Sequence, residues 1–208
     1  MRRGRAEPQR IPGVEGGQRI VEREFAHENT KLVLFEAPTN PMLQVPDLEA
    51  IVGLAKKHDV VTVLDNTFAG LHNHGQFGID FFVHSMTKYA NGHGDVMGGI
   101  VIGEKKRIRA IKPLATNMGS TLDPGAAYLI SRGLKTYCLR FERHSANALA
   151  LARHLKSRAQ VTRVIYPGLP DDAGHALARK QAHEERLHFF ETYQVFVKPL
   201  QMLNGLAL

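Results

Sequence analysis

Residues 32–64 contain two short apolar runs on either side of one amphipathic segment, and this order constrains the fold more than any other feature of the chain. The runs, at 32–35 and 60–64, are rich in Val, Leu and Phe, as buried strands are. Between them, apolar residues recur at helical spacing after the capping residue type Asp47, and two lysines close the segment. A strand, a helix and a strand within about 35 residues predict a βαβ unit, whose parallel strands are covered on both faces.

Further segments extend this pattern. Residues 79–83 and 98–102 are apolar runs that predict a third and a fourth strand. Helical spacing begins after Asp123 and continues to Leu155, with an interruption near Gly133. Residues 161–166 predict one more strand with few partners, so we expect exposed apolar surface around it. The sequence thus predicts an α/β fold with a mostly parallel sheet flanked by helices.

The composition narrows the classes of function. With 208 residues, of which 43% are hydrophobic, the chain can bury one substantial core or one domain plus part of a second. Its apolar runs are far shorter than the ~20 residues of a membrane span, so no membrane association is expected. The formal charge of +7 does not indicate nucleic-acid binding, because basic residues are scattered among acids. The single cysteine, Cys138, is expected to be a small buried residue of a cytoplasmic protein.

Polar side chains follow each of the first three predicted strands. In open α/β sheets, ligands bind at the edge formed by the carboxyl ends of the strands, so these side chains should converge on one place. Each also has a simpler explanation, since Asp and Asn after a strand often form turns and a lysine is usually solvated. The candidates are Asn40 after the first strand, Asp65 and Thr67 after the second, and Ser85, Thr87 and Lys88 after the third.

A lysine beside a carboxylate and two hydroxyls favours a particular chemistry. An amine on the floor of a semi-buried site loses part of its preference for the charged form and can attack an aldehyde to form a Schiff base. Pyridoxal phosphate is the aldehyde cofactor that proteins hold in this way. Asp65 can keep its pyridine nitrogen protonated, and the hydroxyls of Ser85 and Thr87 can donate to its phosphate.

Several ordered motifs surround these residues. The central one is DFFVHSMTKYANGHG at 80–94, in which an aspartate precedes a Ser-X-Thr-Lys segment and a Gly-His pair. The others are EAPTNP at 36–41, DNTF at 65–68, GDVMGG at 94–99, GSTLDPGAAYLISRGLKT at 119–136 and YPGLP at 166–170. Over about residues 28–182 the chain closely resembles the pyridoxal-phosphate enzymes of cysteine and methionine metabolism, the family of cystathionine γ-synthase, cystathionine γ- and β-lyases and methionine γ-lyase.

The resemblance implies a transferase of fold type I and a role for each site residue. Lys88 would carry the cofactor as a Schiff base and would then move the Cα proton of an amino-acid substrate. By the same resemblance, Asp65 would face the pyridine nitrogen, Ser85 and Thr87 would hold the phosphate, Asn40 would contact the ring hydroxyl and Thr67 would line the pocket. The implied reaction is β- or γ-elimination, or γ-replacement, on sulfur-containing or O-acyl-homoserine-type amino acids. A homo-oligomer is implied as well.

The chain also departs from the family pattern. Met86 stands where a small residue is usual, and Ala90 replaces a larger apolar one. The upstream segments that supply further cofactor contacts in the family are not recognisable in residues 1–27, nor is the carboxylate-binding arginine after about residue 183. We therefore expect a loose tail at 1–27, an incomplete cofactor-binding core of the large domain at 28–158 and the start of a small carboxy-terminal domain at 159–208. A catalytically silent relative that binds the cofactor weakly, or associates with a full-length homologue, is the alternative.

Other classes of site have weaker support. A group of histidines includes the His-X-His spacing of zinc sites, but no cysteine pair or HExxH helix accompanies it, so no metal site is expected. The glycines match neither the GxGxxG nor the Walker pattern, and no GxSxG elbow is present. The residues of the metal alternative are His72, His74, His84, His93 and Asp95.

Overall fold

The computed structural model describes residues 29–182 and 196–199. Its main sheet has four strands. These strands lie in chain order and are β1 (Leu32–Glu36), β2 (Val61–Asp65), β3 (Phe81–Ser85) and β4 (Gly99–Gly103). The first three strands are parallel, and β4 pairs with β3 in the antiparallel direction. The predicted mostly parallel α/β sheet is therefore confirmed.

Helices connect and flank these strands. Between β1 and β2 runs α1 (Leu48–Lys57), and a short 3-10 turn at Gly75–Phe77 precedes β3. After β4 come α2 (Lys105–Asn117), α3 (Pro124–Leu134) and α4 (Tyr137–Lys156). A second, two-stranded antiparallel sheet joins β5 (Val161–Ile165) to β6 (Phe196–Pro199), with α5 (His175–Gln181) between them in the chain. Among the helices of residues 29–182, none is both long and apolar enough to cross a membrane.

The β1–α1–β2 unit forms as its local sequence predicts. The side chain of Asp47 caps α1 by accepting a 3.1 Å hydrogen bond from the backbone N–H of Ala50. The apolar face of α1 then packs on one face of the sheet. The residues that this contact buries in α1 are Leu48, Ile51, Val52 and Ala55.

A second hydrophobic core forms where α4, β5, α5 and the segment before α1 meet. It contains Ala148 and Ala152 of α4, and Val164 and Ile165 of β5 pack against it. The side chain of Gln181 extends this contact, because its Oε1 accepts a 2.7 Å hydrogen bond from the backbone N–H of Leu48. The start of α1 is thus held by a residue at the end of α5.

Exposure differs from expectation in three places. The first strand was predicted to be buried, but Leu32 and Leu34 are 53% and 65% exposed, because among the described residues β1 is an edge strand and α1 covers one of its faces only. Exposed apolar surface was expected around β5, but no large apolar side chain of β5 itself is exposed; such side chains lie on β1, β4 and all three helices from α2 to α4, and in the loops between elements. Cys138 was predicted to be buried and is exposed on α4, with its sulfur 3.4 Å from Nε2 of His72.

The third strand begins two residues later than its apolar run. Asp80 ends the preceding loop, and its Oδ2 accepts hydrogen bonds from the backbone N–H and the hydroxyl of Thr62, at 2.8 and 2.9 Å. Strand pairing then starts at Phe81, opposite Val63. As a result, Ser85 is the last residue of β3 and not a residue beyond it.

The predicted interruption of the long helical segment is confirmed, since α3 ends at Leu134 and α4 begins at Tyr137.

Candidate functional site

The carboxyl ends of β1, β2 and β3 lie side by side at one edge of the sheet. Parallel pairing aligns Glu36 of β1 with Asp65 of β2, and Asp65 with Val83 of β3. Asp65 is therefore the last residue of the middle parallel strand; it lies beside the last residue of β1 and two residues before the end of β3. Ligands bind at such edges in open α/β sheets.

A chain of hydrogen bonds joins the ends of β2 and β3. The backbone N–H of Thr67 donates to Oδ1 of Asp65 at 3.0 Å, and the hydroxyl oxygen of Thr67 accepts from the backbone N–H of Ser85 at 2.9 Å. All three residues are partly buried. The structure thus brings together three of the residues that the sequence predicts for the site.

Lys88 lies in the turn that leaves β3. This turn, Met86–Ala90, has π-helical hydrogen bonding and is called the lysine turn below. Met86 and Ala90 are buried against Val96 and Ile130, whereas Lys88 between them is exposed and has a non-helical backbone conformation (φ −87°, ψ −129°). The expectation of a lysine on a semi-buried floor is therefore wrong for the described residues, because the apolar neighbours of Lys88 take the buried positions of the turn.

Thr87 fixes the lysine turn to the start of β4. Its hydroxyl accepts a 3.0 Å hydrogen bond from the backbone N–H of Gly98 and is 3.4 Å from the carbonyl oxygen of the same residue. The backbone N–H of Met86 also donates to that carbonyl, at 2.9 Å. The Thr87 hydroxyl thus has a structural partner in addition to any ligand.

Asn40 lies beyond the end of β1 and is exposed. Its backbone N–H donates a 2.8 Å hydrogen bond to Oε2 of Glu36. The loop after β1 stays close to β2, because the backbone N–H of Ala37 lies 3.4 Å from the carbonyl oxygen of Asp65. Asn40 therefore follows a segment that is anchored at the same sheet edge as Asp65.

Two ionisable neighbours of Asp65 were missed by the sequence reasoning. Burial raises the pKa of Glu36 above its usual value, the Asn40 N–H opposes this, and the negative charge of Asp65 adds to the rise. Burial lowers the pKa of His84, and Asp65 opposes this change. Glu36 lies in the motif at 36–41 and His84 in the motif at 80–94, but only the strand register reveals that they flank Asp65. The edge therefore contains coupled charges.

The histidines of the metal alternative are not arranged as a metal site. His74 is buried, and its Nδ1 lies 2.6 Å from the amide oxygen of Asn66. His93 is exposed, and its Nδ1 lies 2.6 Å from the carbonyl oxygen of Asn91. Within residues 29–182, no three His, Cys, Asp or Glu side chains are grouped so that they could hold a metal ion.

Comparison with known proteins decides the family. A family model described as Cys/Met metabolism PLP-dependent enzyme matches residues 17–206. The chain belongs to this family. The match is wider than the range of about 28–182 over which the sequence motifs are recognisable. The resemblance predicted from the motifs is confirmed, and with it the cofactor of the family, pyridoxal phosphate.

Individual members of this family are similar over most of the chain. Cystathionine beta-lyase of Lactococcus lactis subsp. cremoris (strain MG1363) is 43% identical over 157 residues, which are 74% of this chain and 41% of that protein. L-methionine gamma-lyase of Fusobacterium nucleatum subsp. polymorphum is 40% identical over 187 residues, or 87% of this chain and 47% of the relative. The chain thus spans less than half the length of these relatives.

Solved structures of the same family share the fold. Cystathionine gamma synthase from Xanthomonas oryzae pv. oryzae, in complex with cystathionine, superimposes with a TM-score of 0.77 at 38% identity, covering 84% of this chain and 44% of that one. Cystathionine gamma-lyase from Lactobacillus plantarum, complexed with L-serine, gives a TM-score of 0.76 at 36% identity. The fold is that of the large-domain core of fold-type-I enzymes that use pyridoxal phosphate, as predicted.

Proposed function

We propose that the sheet edge around Asp65 binds pyridoxal phosphate and that Lys88 forms the covalent link to it. The observation that carries this proposal is the hydrogen-bonded series Asp65–Thr67–Ser85 at the ends of two parallel strands, with Lys88 three residues further along the chain. The functional groups of these side chains also fit the chemistry of this cofactor. They offer an amine for the aldehyde, a carboxylate for the ring nitrogen and hydroxyls for the phosphate.

Each residue has a distinct task in the proposal. When bound, the cofactor supplies an electron sink for negative charge at the substrate Cα. Nζ of Lys88 would take and return the Cα proton of the substrate. The carboxylate of Asp65 would face the ring nitrogen and favour a proton there. Ser85 and Thr87 would hold the phosphate, Asn40 would contact the ring hydroxyl and Thr67 would line the pocket.

The proposed reaction is β- or γ-elimination, or γ-replacement, on a sulfur-containing or O-acyl-homoserine-type amino acid. It rests on the names of the similar proteins, which are a cystathionine beta-lyase, an L-methionine gamma-lyase and cystathionine gamma synthases. These names cover both elimination and synthesis, so the choice between the two is left to the substrate assay. A location in the cytoplasm is part of the same proposal.

The exposure of Lys88 favours a second candidate function. Burial of a lysine among apolar groups favours its attack on an aldehyde, and Lys88 is exposed among the described residues. A protein that binds the cofactor weakly, or that binds it well only in association with a second copy or with a full-length homologue, would have such a lysine. The exposed apolar side chains of β1 and β4 support association.

An absorbance titration with pyridoxal phosphate tests the first step. A lysine-bound cofactor absorbs in the visible region, so wild type should develop a band that Lys88→Ala lacks. Lys57→Ala, which removes an exposed lysine from the last turn of α1, is the matched control and should keep the band. Borohydride reduction followed by peptide mass spectrometry should place the cofactor on Lys88. Identical spectra for wild type and Lys88→Ala would overturn the proposal.

A substrate panel then separates an active enzyme from a silent relative. Cystathionine, methionine and an O-acyl-homoserine with a thiol acceptor should each be incubated with the loaded protein. Release of pyruvate or 2-oxobutyrate reports elimination, whereas a new thioether amino acid reports replacement. A protein that carries the cofactor on Lys88 but turns over none of these substrates would support the silent alternative.

A further inference from the structure

We propose that Arg140 is a positioning residue for Lys88, which it orients by fixing the backbone of the lysine turn; this role rests on the proposed function. The guanidinium of Arg140, on α4, donates hydrogen bonds to two carbonyl oxygens of the lysine turn, 51 and 50 residues away in the chain, and to a third near the end of α3. Its Nη1 donates to Tyr89 at 2.7 Å, and its Nη2 donates to Ala90 at 3.1 Å and to Gly133 at 2.8 Å. Its Nε donates to the hydroxyl of Thr136 at 3.0 Å. One side chain therefore links the lysine turn, the end of α3 and the start of α4.

The lysine turn requires such a partner because it is short and irregular. Its backbone bonds include those of the Asn91 N–H to the carbonyls of Met86, at 3.3 Å, and Lys88, and that of the Gly92 N–H to Lys88 at 2.8 Å. The carbonyls of Tyr89 and Ala90 follow Lys88 directly, and carbonyls at the end of a helical turn lack helical partners. Because Arg140 binds both, it holds the two peptide groups that come just after the lysine.

The packing around the guanidinium of Arg140 depends on glycine at two neighbouring positions. Gly92 has a positive φ of 72°, and a Cβ atom at this position would lie 1.9 Å from Nη1 of Arg140. Gly133 is also restricted, since a Cβ atom there would lie 2.5 Å from the carbonyl oxygen of Asn91. Two glycines thus create the space in which the guanidinium and the lysine turn meet.

The geometry requires arginine and not only a positive charge. A guanidinium is planar and presents donors in a fixed fork, so it can bind several carbonyls in one plane, whereas an ammonium is a point charge on a flexible stem. A site that carries a reactive amine needs support that sets its backbone to within a fraction of an ångström. The fork of Arg140 gives this support to the residues next to Lys88.

The test compares Arg140→Met and Arg140→Lys with the matched control Arg143→Met, which alters an exposed arginine on the same helix. Two properties are measured on the full chain. Amide hydrogen exchange of Gly92 reports the order of the lysine turn without cofactor. The visible band and the rate of borohydride trapping on Lys88 report the placement of the amine.

We expect Arg140→Met to speed exchange at Gly92 by about tenfold or more and to weaken cofactor attachment at Lys88 by a similar factor. Arg140→Lys should recover only part of both effects, and Arg143→Met should match wild type. If Arg140→Met does not fold, as judged by circular dichroism, Arg140→Lys gives the same two measurements.

Each other outcome overturns the inference in a recognisable way. Unchanged exchange in the Arg140 variants means that Arg140 does not hold the turn. Faster exchange with unchanged attachment to Lys88 means that its role is structural only. If wild type itself forms no band on Lys88, the proposed function fails, and the positioning role fails with it. The first two results leave the proposed function intact, so the two failures are distinguishable.

Discussion

The hydroxyl oxygen of Thr67 accepts a 2.9 Å hydrogen bond from the backbone N–H of Ser85, which joins the loop after β2 to the last residue of β3. The backbone N–H of Thr67 in turn donates to Oδ1 of Asp65. A single threonine therefore links the carboxylate proposed for the ring nitrogen to the backbone of Ser85, whose hydroxyl is proposed for the phosphate. Its contribution can be measured by substitution.

Thr67→Val removes the hydroxyl at nearly constant volume and leaves the Ser85 N–H, which is partly buried, without its acceptor. We expect the free energy of unfolding to fall by about 1–3 kcal/mol, the usual cost of an unsatisfied polar group. Cofactor affinity should fall as well. Thr67→Ser, which keeps the hydroxyl, is the control and should retain most of the stability and most of the cofactor affinity. Urea-induced unfolding and cofactor titration measure the two effects, and equal values for Val and Ser would contradict the proposed role of this bond.

Asp65→Asn should change the titration of two neighbours in the same direction. The charge of Asp65 helps to raise the pKa of Glu36 and opposes the fall in the pKa of His84. Removing this charge should therefore lower both pKa values, since a like charge no longer disfavours ionised Glu36 and an opposite charge no longer favours protonated His84. NMR titration of the two side chains measures the shifts. The pKa of His74, which burial alone lowers, should stay unchanged and serves as the control.

The β1–α1–β2 unit could be predicted because its signals are local. The cap at Asp47 and the buried face of α1 depend on residues within one helix, and their spacing is visible in the sequence. The convergence of Asp65, Thr67 and Ser85 could also be predicted, because parallel strands place their carboxyl ends at one edge. The roles of these residues toward the cofactor stay predictions.

Other features depend on contacts between distant residues and could not be predicted. The exposure of Leu34 is set by which face of β1 is covered, and an apolar run does not encode this. The exposure of Lys88 follows from the burial of Met86 and Ala90 in a π-helical turn that has no sequence signature. Arg140 meets carbonyls 50 and 51 residues away, and no local pattern relates these positions.

Acid should destabilise the protein through His74. This side chain is buried, and burial lowers its pKa from 6.5 to about 4. Unfolded chains take up a proton on this residue below about pH 6.5, whereas the folded protein does so only near pH 4, so stability falls as the pH drops through this window. The loss from this residue is at most about 3 kcal/mol.

Urea-induced unfolding at several pH values between about 7 and 4.5 checks this prediction. The comparison of wild type with His74→Gln isolates the residue, since glutamine can keep a hydrogen bond to Asn66 but does not titrate. The variant should lose less stability than wild type over the same range. Parallel curves for the two proteins would show that His74 does not carry the pH dependence.

Gly133→Ala tests the contact between α3 and the lysine turn. A Cβ atom at this position would lie 2.5 Å from the carbonyl oxygen of Asn91 and 2.8 Å from its Cα, which are backbone atoms that cannot move without displacing the turn. We expect the free energy of unfolding to fall by about 1–3 kcal/mol, as for other overpacked sites, and cofactor attachment at Lys88 to weaken.

Gly53→Ala, in the interior of α1 with no atom within 4 Å of the new Cβ, is the matched control. It should instead stabilise the protein by about 0.5–1 kcal/mol, because alanine is the better helix former. Thermal and urea-induced unfolding of both variants provide the measurement, and a stabilised Gly133→Ala would mean that the two elements do not pack as closely as the structure places them.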